Sequence, residues 1–356
     1  MSLGLLLSFV IAFAVAYATT PFVKLLAYRV GALDKPDEER HIHKKVTPLL
    51  GGLAIFYGFV VSVLCLCQID ISIRGMILGS LIIIITGIFD DIRALHPVTK
   101  LIGQILAAVV IVLHGIIIER ISMPDILAPG GILELGIFSV PITIVWIIAV
   151  TNAVNLIDGL DGLAAGISSI ASTTLFIIAL ITAEANVALI TAALAGACFG
   201  FLPYNFNPAK IFMGDTGAMF LGFILSVVSI MGTFKAYAVA SFVVPFIVLG
   251  LPLFDTGFAI LRRIKNHKPI MGADRGHLHH RLLDMGFNQK QTVGILYLIS
   301  TVLGLSAVVL IGAGAVRAMV LVAAIIVVML VSFFVIANKD KPQQKTESEG
   351  ESDEKA

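Results

Sequence analysis

Residues 185 to 203 read "ANVALITAALAGACFGFLP", nineteen positions without one charged side chain. A backbone in hydrocarbon must satisfy its own polar groups, so a run of this length, enough to cross about 30 Å of bilayer, folds as a helix. Similar runs lie at 2–24, 49–68, 75–89, 101–118, 138–151, 163–182, 216–233, 237–261, 292–312 and 317–337, eleven in all. Hydrophobic residues make up 58% of the 356 and charged residues 13%, more apolar surface than a water-soluble domain of this size can hide. The expected fold is all-α, a polytopic membrane bundle of about eleven transmembrane helices, with the third and fifth runs the shortest. The first run has no basic residue before it and no small-residue cleavage site after it, so it reads as an anchored helix rather than a removed signal. Cys65, Cys67 and Cys198 fall inside runs and are odd in number, which favours core packing over a disulfide or zinc site.

Basic residues set the expected orientation. Taking the first loop as cytoplasmic, the inner segments hold twenty of the twenty-four Lys and Arg, and the outer loops keep only Arg74, Arg120, Lys235 and Arg317. That asymmetry puts the amino terminus outside and the carboxyl terminus in the cytoplasm. Residues 1–338 then form a single transmembrane catalytic domain, and 339–356, "KDKPQQKTESEGESDEKA", a disordered charged tail. In the outer loop around 119–137, "PDILAPGG" reads as turns or a short hairpin.

Four polar stretches follow the third, fifth, seventh and ninth runs, all on the cytoplasmic side of this map. "IFDDIRALHPVTK" carries Asp90, Asp91 and Lys100; two neighbouring carboxylates suit magnesium or a phosphate-handling base, although they would also serve as helix caps. "TNAVNLIDGLDGLAAG" places Asn152, Asn155, Asp158 and Asp161 at three-residue intervals, costly in lipid unless they bind something or bond helices together. "YNFNPAKIFMGDTG" sets Asp215 between glycines, ten residues after Asn205; Asp215 is either a metal ligand or an N-cap. "GADRGHLHHRLLDMG" offers His277, His279, His280 and Arg281, whose spacing is wrong for zinc and right for anionic phosphates, or simply for fixing orientation. Lys44 and Lys45, at the start of the second run, are interfacial anchors or phosphate contacts, and Asp255 reads as a buried acid awaiting a base. Acids and amides for a hard cation, bases for phosphates and many spans for a lipid describe an enzyme joining a water-soluble phosphate donor to a membrane-bound acceptor.

These four motifs, in this order over about residues 20 to 290, resemble the polyprenyl-phosphate N-acetylhexosamine-1-phosphate transferases, the WecA/TagO/MraY superfamily. "HLHHRL" is similar to the branch that uses UDP-N-acetylglucosamine. The resemblance implies transfer of N-acetylglucosamine 1-phosphate from UDP-GlcNAc to undecaprenyl phosphate, with release of UMP, at the cytoplasmic face of a bacterial inner membrane. It assigns magnesium, with manganese as a substitute, to Asp215 and Asn155, and catalysis to Asp90 and Asp91. Lys100 falls near the lipid phosphate, Asp161 and Asn205 in the nucleoside pocket, and His277, His279, His280 and Arg281 on the sugar-pyrophosphate side, with Lys44, Lys45, Asn152 and Asp158 as further substrate contacts. The partners implied are the two substrates and the membrane, with no nucleic acid and a homodimer left open. A single in-line displacement is expected over a covalent aspartyl route. The alternatives are another UDP-N-acetylhexosamine as donor and a cation-coupled secondary transporter, which would place its acids near mid-span in two related halves.

Overall fold

The computed structural model describes residues 2–34, 46–122, 132–232, 243–267 and 276–313. Helices dominate: α1 Ser2–Val30, α2 Gly52–Leu66, α3 Ile71–Arg93, α4 Pro97–Leu113, α5 Ser139–Ile157, α6 Leu163–Ile181, α7 Ala185–Asn205, α8 Gly214–Met231, α9 Val243–Val248, α10 Gly250–Lys265, α11 Leu278–Asp284 and α12 Gln289–Ala313. Among the described residues seven of them (α1, α3, α5, α6, α7, α8 and α12) are long and apolar enough to cross a membrane, and α2 and α4 are shorter apolar helices. The chain is an all-α, multi-pass membrane protein.

The third and fifth runs, the shortest by hydropathy, belong to helices long enough to span. α3 has 23 residues and α5 has 19, against 15 in α2 and 17 in α4. The cause is the polar residues themselves, since Asp90, Asp91 and Arg93 belong to the last turn of α3, and Asn152 and Asn155 to the end of α5. Hydropathy cuts a helix short where its functional turn begins. The ninth run is divided into α9 and α10 around Leu249, between Pro245 and Pro252. The eleventh run, the charged tail, "PDILAPGG" and Lys44 and Lys45 lie outside the described residues.

α7 and α8 are hydrophobic all round and sit at the centre. In α7, Gly196 and Gly200 face the carbonyls of Phe9 and Phe13 in α1 so closely that a Cβ at either position would collide with them. Small residues four apart let two helices in lipid gain van der Waals contact where hydrophobic driving force is absent. Buried polar groups are paired across the bundle, Ser8 with Ser62 and Trp146 with Ser229. The short antiparallel pair β1 Leu33–Asp34 and β2 Thr47–Pro48 precedes α2. β3 Arg120–Ser122 pairs with β4 Ile132–Glu134 in antiparallel register, with an exposed Arg120–Glu134 ion pair, on either side of the residues left undescribed.

One end of the bundle gathers the C-termini of α3, α5 and α7 and the N-termini of α4, α6 and α8. The chain entering α8 is stitched to the chain entering α2: Phe212 N–H donates to Pro48 O, and Gly51 and Gly52 N–H donate to Phe212 O and Met213 O, each at 2.9 Å. α8 therefore starts at a fixed place.

Candidate active site

The adjacent carboxylates at the end of α3 point to different partners. Asp91 accepts from the backbone N–H of Asp215 at 2.8 Å and of Thr216 at 3.1 Å, and from the Thr216 hydroxyl at 2.6 Å. It is an N-terminal cap supplied to α8 from another helix, satisfying donors that a helix start leaves orphaned. Gly214, at φ +70°, turns the chain into that cap, and a Cβ there would lie 2.5 Å from the Asp91 carboxylate. Asp90 instead accepts from Leu95 N–H at 2.6 Å and contacts the ammonium of Lys100. Lys100, in the first turn of α4, also donates to Asp215 Oδ2 at 2.8 Å, while the Asn155 amide donates to Asp215 Oδ1. Asp215 is thus the meeting point of α3, α4, α5 and α8.

These groups line an open cavity of ≈ 980 Å³, with Asp158, Asp161, Asn205, Phe212 and His280 on its other walls. Asp158, in the turn after α5, is pushed up to about 8 by burial and by the charges of Asp215, Asp91 and Asp161. Asp161 Oδ2 accepts from Asn207 Nδ2 and from Ala209 N–H, both at 3.0 Å. Asn205 accepts from Gly162 N–H at 3.1 Å and donates to Ile211 O at 3.1 Å, tying the end of α7 to the 158–162 turn.

Not every residue singled out from sequence reaches the cavity. Asn152 exchanges hydrogen bonds with Gln104 of α4, at 2.7 and 3.2 Å, and donates to Ile148 O, so it joins helices and does not line the cavity. Three residues on, Asn155 has turned far enough round α5 to face Asp215. Residues 278–284, expected within a long polar loop, are helix α11. His277 is buried and bonded through Nδ1 to Asp255 at 2.9 Å, and Asp255 also accepts from Leu278 N–H at 2.8 Å. The base awaited by Asp255 is therefore a histidine. His279 is buried against Gly159, where a Cβ would sit 2.5 Å from its Nε2; burial and the neighbouring His280 and His277 lower it to about 4, so it is neutral. His280 lines the cavity, whereas Arg281 is exposed and does not. Sequence reasoning passed over Gln104, Asn207, Phe212, Thr216, Gln289 and Tyr297. Only Phe212 carried a local signal, as the aromatic beside "MGD".

A cavity walled by carboxylates, amides and a lysine at one end of an apolar bundle is the polar site of an integral-membrane protein. The profile of glycosyl transferase family 4 matches residues 73–233. A probable undecaprenyl-phosphate N-acetylglucosaminyl 1-phosphate transferase of Bacillus subtilis is 41% identical over 307 residues, covering 86% of this chain and 85% of the relative. A decaprenyl-phosphate N-acetylglucosaminephosphotransferase of Mycolicibacterium smegmatis is 36% identical over 80% of this chain and 76% of its own length. A phospho-N-acetylmuramoyl-pentapeptide-transferase of Desulforudis audaxviator is 36% identical over 60% of this chain and 71% of its own. The chain belongs to glycosyl transferase family 4.

Proposed function

We propose that this chain transfers N-acetylglucosamine 1-phosphate from UDP-GlcNAc to undecaprenyl phosphate, giving the lipid-linked pyrophosphoryl sugar and UMP, as the first membrane step of a cell-envelope glycan pathway. One observation carries the reading: the Lys100 ammonium lies between Asp90 and Asp215 in the wall of a polar cavity, while the apolar Phe89 and Ile102 on the same two helix ends are 57% and 52% exposed on the bundle surface. A lipid phosphate and a soluble diphosphate can meet there. N-acetylglucosamine is favoured over a muramoyl-pentapeptide by the 41% identity to a relative of that name and by "HLHHRL".

The residues present fit a magnesium ion, or manganese in its place. Among the described residues no three His, Cys, Asp or Glu side chains are close enough to enclose an ion by themselves. Magnesium takes one or two carboxylates and completes its shell with water and substrate phosphate oxygens, which suits Asp215 with the Asn155 amide beside it. When bound it supplies charge compensation to the pyrophosphate and to departing UMP. Lys100 binds the lipid phosphate, which is mostly dianionic near neutral pH because its second pKa is about 6, as for other phosphate monoesters. Asp90 orients that phosphate through Lys100 and takes its remaining proton from the protonated fraction. The phosphate oxygen attacks the β-phosphorus of the donor in line, forming one P–O bond as the bond to UMP breaks. Asp91 holds α8 so that Asp215 faces the reacting phosphorus, with Asp161, Asn205 and Phe212 on the nucleotide side and His280 on the sugar side.

The activity test is purified protein with UDP-GlcNAc and undecaprenyl phosphate, read as UMP and a lipid-linked sugar. If UDP-MurNAc-pentapeptide reacts and UDP-GlcNAc does not, the donor assignment is wrong. The proposed topology of eleven spans, amino terminus outside and cavity facing the cytoplasm, is tested with single cysteines at Val46 and Gly286, labelled only from the inside, and at Ile137, labelled only from the outside.

A further inference from the structure

The 158–162 turn is held from a helix that sequence reasoning did not connect to it. α12 begins at Gln289, just after Asn288 and Gln291 exchange two hydrogen bonds of 3.0 Å that fix its first turn. Gln289 Oε1 accepts from Asn207 Nδ2 at 2.6 Å, and the same nitrogen donates to Asp161 Oδ2. Two turns further along α12, the Tyr297 hydroxyl donates to Gly162 O and fills the space a Cβ on Gly166 would need. The connection is direct, because α11, which carries His280, runs into α12 within four residues.

We propose that Gln289, acting through Asn207, and Tyr297, acting on Gly162, are positioning residues for the nucleotide half of the donor. The inference rests on the reading of Asp161 as a nucleotide contact. An amide nitrogen has two hydrogens, and at Asn207 one serves Asp161 and the other Gln289. With the Gln289 oxygen in place, turning the Asn207 amide over would set carbonyl against carbonyl and carbonyl against carboxylate. Without that oxygen the amide turns more freely, and Asp161 keeps only the Ala209 N–H of the two donors that fix its Oδ2. Asp161 then no longer presents a set carboxylate to the N–H and hydroxyl groups of a nucleotide. The Gln289 amide nitrogen is buried and makes no hydrogen bond among the described residues, so only the oxygen of this side chain is used.

That asymmetry supplies the test. Gln289→Met keeps length and loses the acceptor, whereas Gln289→Glu keeps the acceptor, exchanges the unused nitrogen for oxygen and brings a carboxyl whose charge faces the Asn207 N–H donor. In the full-length protein in detergent, Gln289→Met is expected to raise the UDP-GlcNAc KM and the calorimetric Kd for UMP about tenfold, the equivalent of one hydrogen bond. Its kcat stays within about twofold and the lipid KM is unchanged. Gln289→Glu returns both values to within about threefold of wild type, and Tyr297→Phe weakens UMP about threefold. Gln289→Ala takes the place of the Met variant if the thioether unfolds the protein. Wild-type UMP binding by the Met variant overturns the proposal. So does a Glu variant as weak as Met, or a loss of kcat and melting temperature with no change in KM, the signature of a purely structural contact. Asp161→Asn separates the two levels: if it too binds UMP normally, the nucleotide reading of Asp161 has failed, and if it alone loses UMP, only the relay through α12 has.

Discussion

Replacing Asp91 tests whether the two adjacent acids do the same work. Its carboxylate accepts three hydrogen bonds, all from Asp215 and Thr216 at the start of α8. Asp91→Ala removes a cap, worth about 1 kcal/mol, and leaves partly buried N–H groups without an acceptor at about 1–3 kcal/mol, so about 2–4 kcal/mol of stability is at stake. For a chain of 356 residues that is a fall in melting temperature on the order of 3–5 °C. Turnover falls as well, because Asp215 loses its fixed start. Asp90→Ala removes one backbone hydrogen bond and a partner of Lys100, so it costs kcat at least as heavily and stability much less. The assay pairs thermal unfolding in detergent with kcat for both variants. If Asp91→Ala melts like wild type and is inactive, Asp91 acts on the substrate and the capping argument fails.

Lys100→Met leaves Asp90 and Asp215 facing each other without the ammonium and should lower kcat about 10²–10³-fold, the usual cost of one positive donor at a reacting phosphate; a loss below tenfold shows that the lysine is only an interfacial anchor. Asp158, held near 8 in the folded protein, keeps a proton that the unfolded chain has released above the ordinary carboxylate range, so in EDTA stability should fall as pH rises from about 6.5 to 8, above the range in which the lowered His279 acts in the opposite sense. Asp158→Asn should flatten that slope, and equal slopes in the two proteins would remove Asp158 as its source. His280→Ala should raise the donor KM about tenfold while Arg281→Ala changes it less than threefold, because only His280 lines the cavity; the reverse order would mean that α11 turns over when donor binds.

Much of this was legible in the sequence because lipid imposes a length rule that any long apolar run must obey. The four motifs were legible because charge and amide groups stand out against such runs. Their division of labour was not. Asp90 and Asp91 are one residue apart, and only the position of α8 decides which becomes a cap and which meets Lys100. Asn152 and Asn155 share a helix, yet Gln104, 48 residues away from Asn152, draws one of them out of the cavity. A helix in lipid carries apolar residues on both its inner and outer faces, so the sequence offers no amphipathic stripe to tell which way a polar side chain looks. His277 and Asp255, 22 residues apart, are paired only because the fold brings the start of α11 to the side of α10.

The contact between Asp90 and Lys100 has a consequence for how the chain is made. The two residues lie on either side of the short α3–α4 connection and emerge from the ribosome almost together, whereas Asp215 follows 115 residues after Lys100. While α3 and α4 enter the bilayer, the lysine and Asp90 neutralise each other at one end of a helical hairpin, so neither of these two charges waits alone for α8. When α8 arrives, Asp215 joins a pair already formed. The ammonium that serves the finished enzyme has by then acted as an escort for the half-built one.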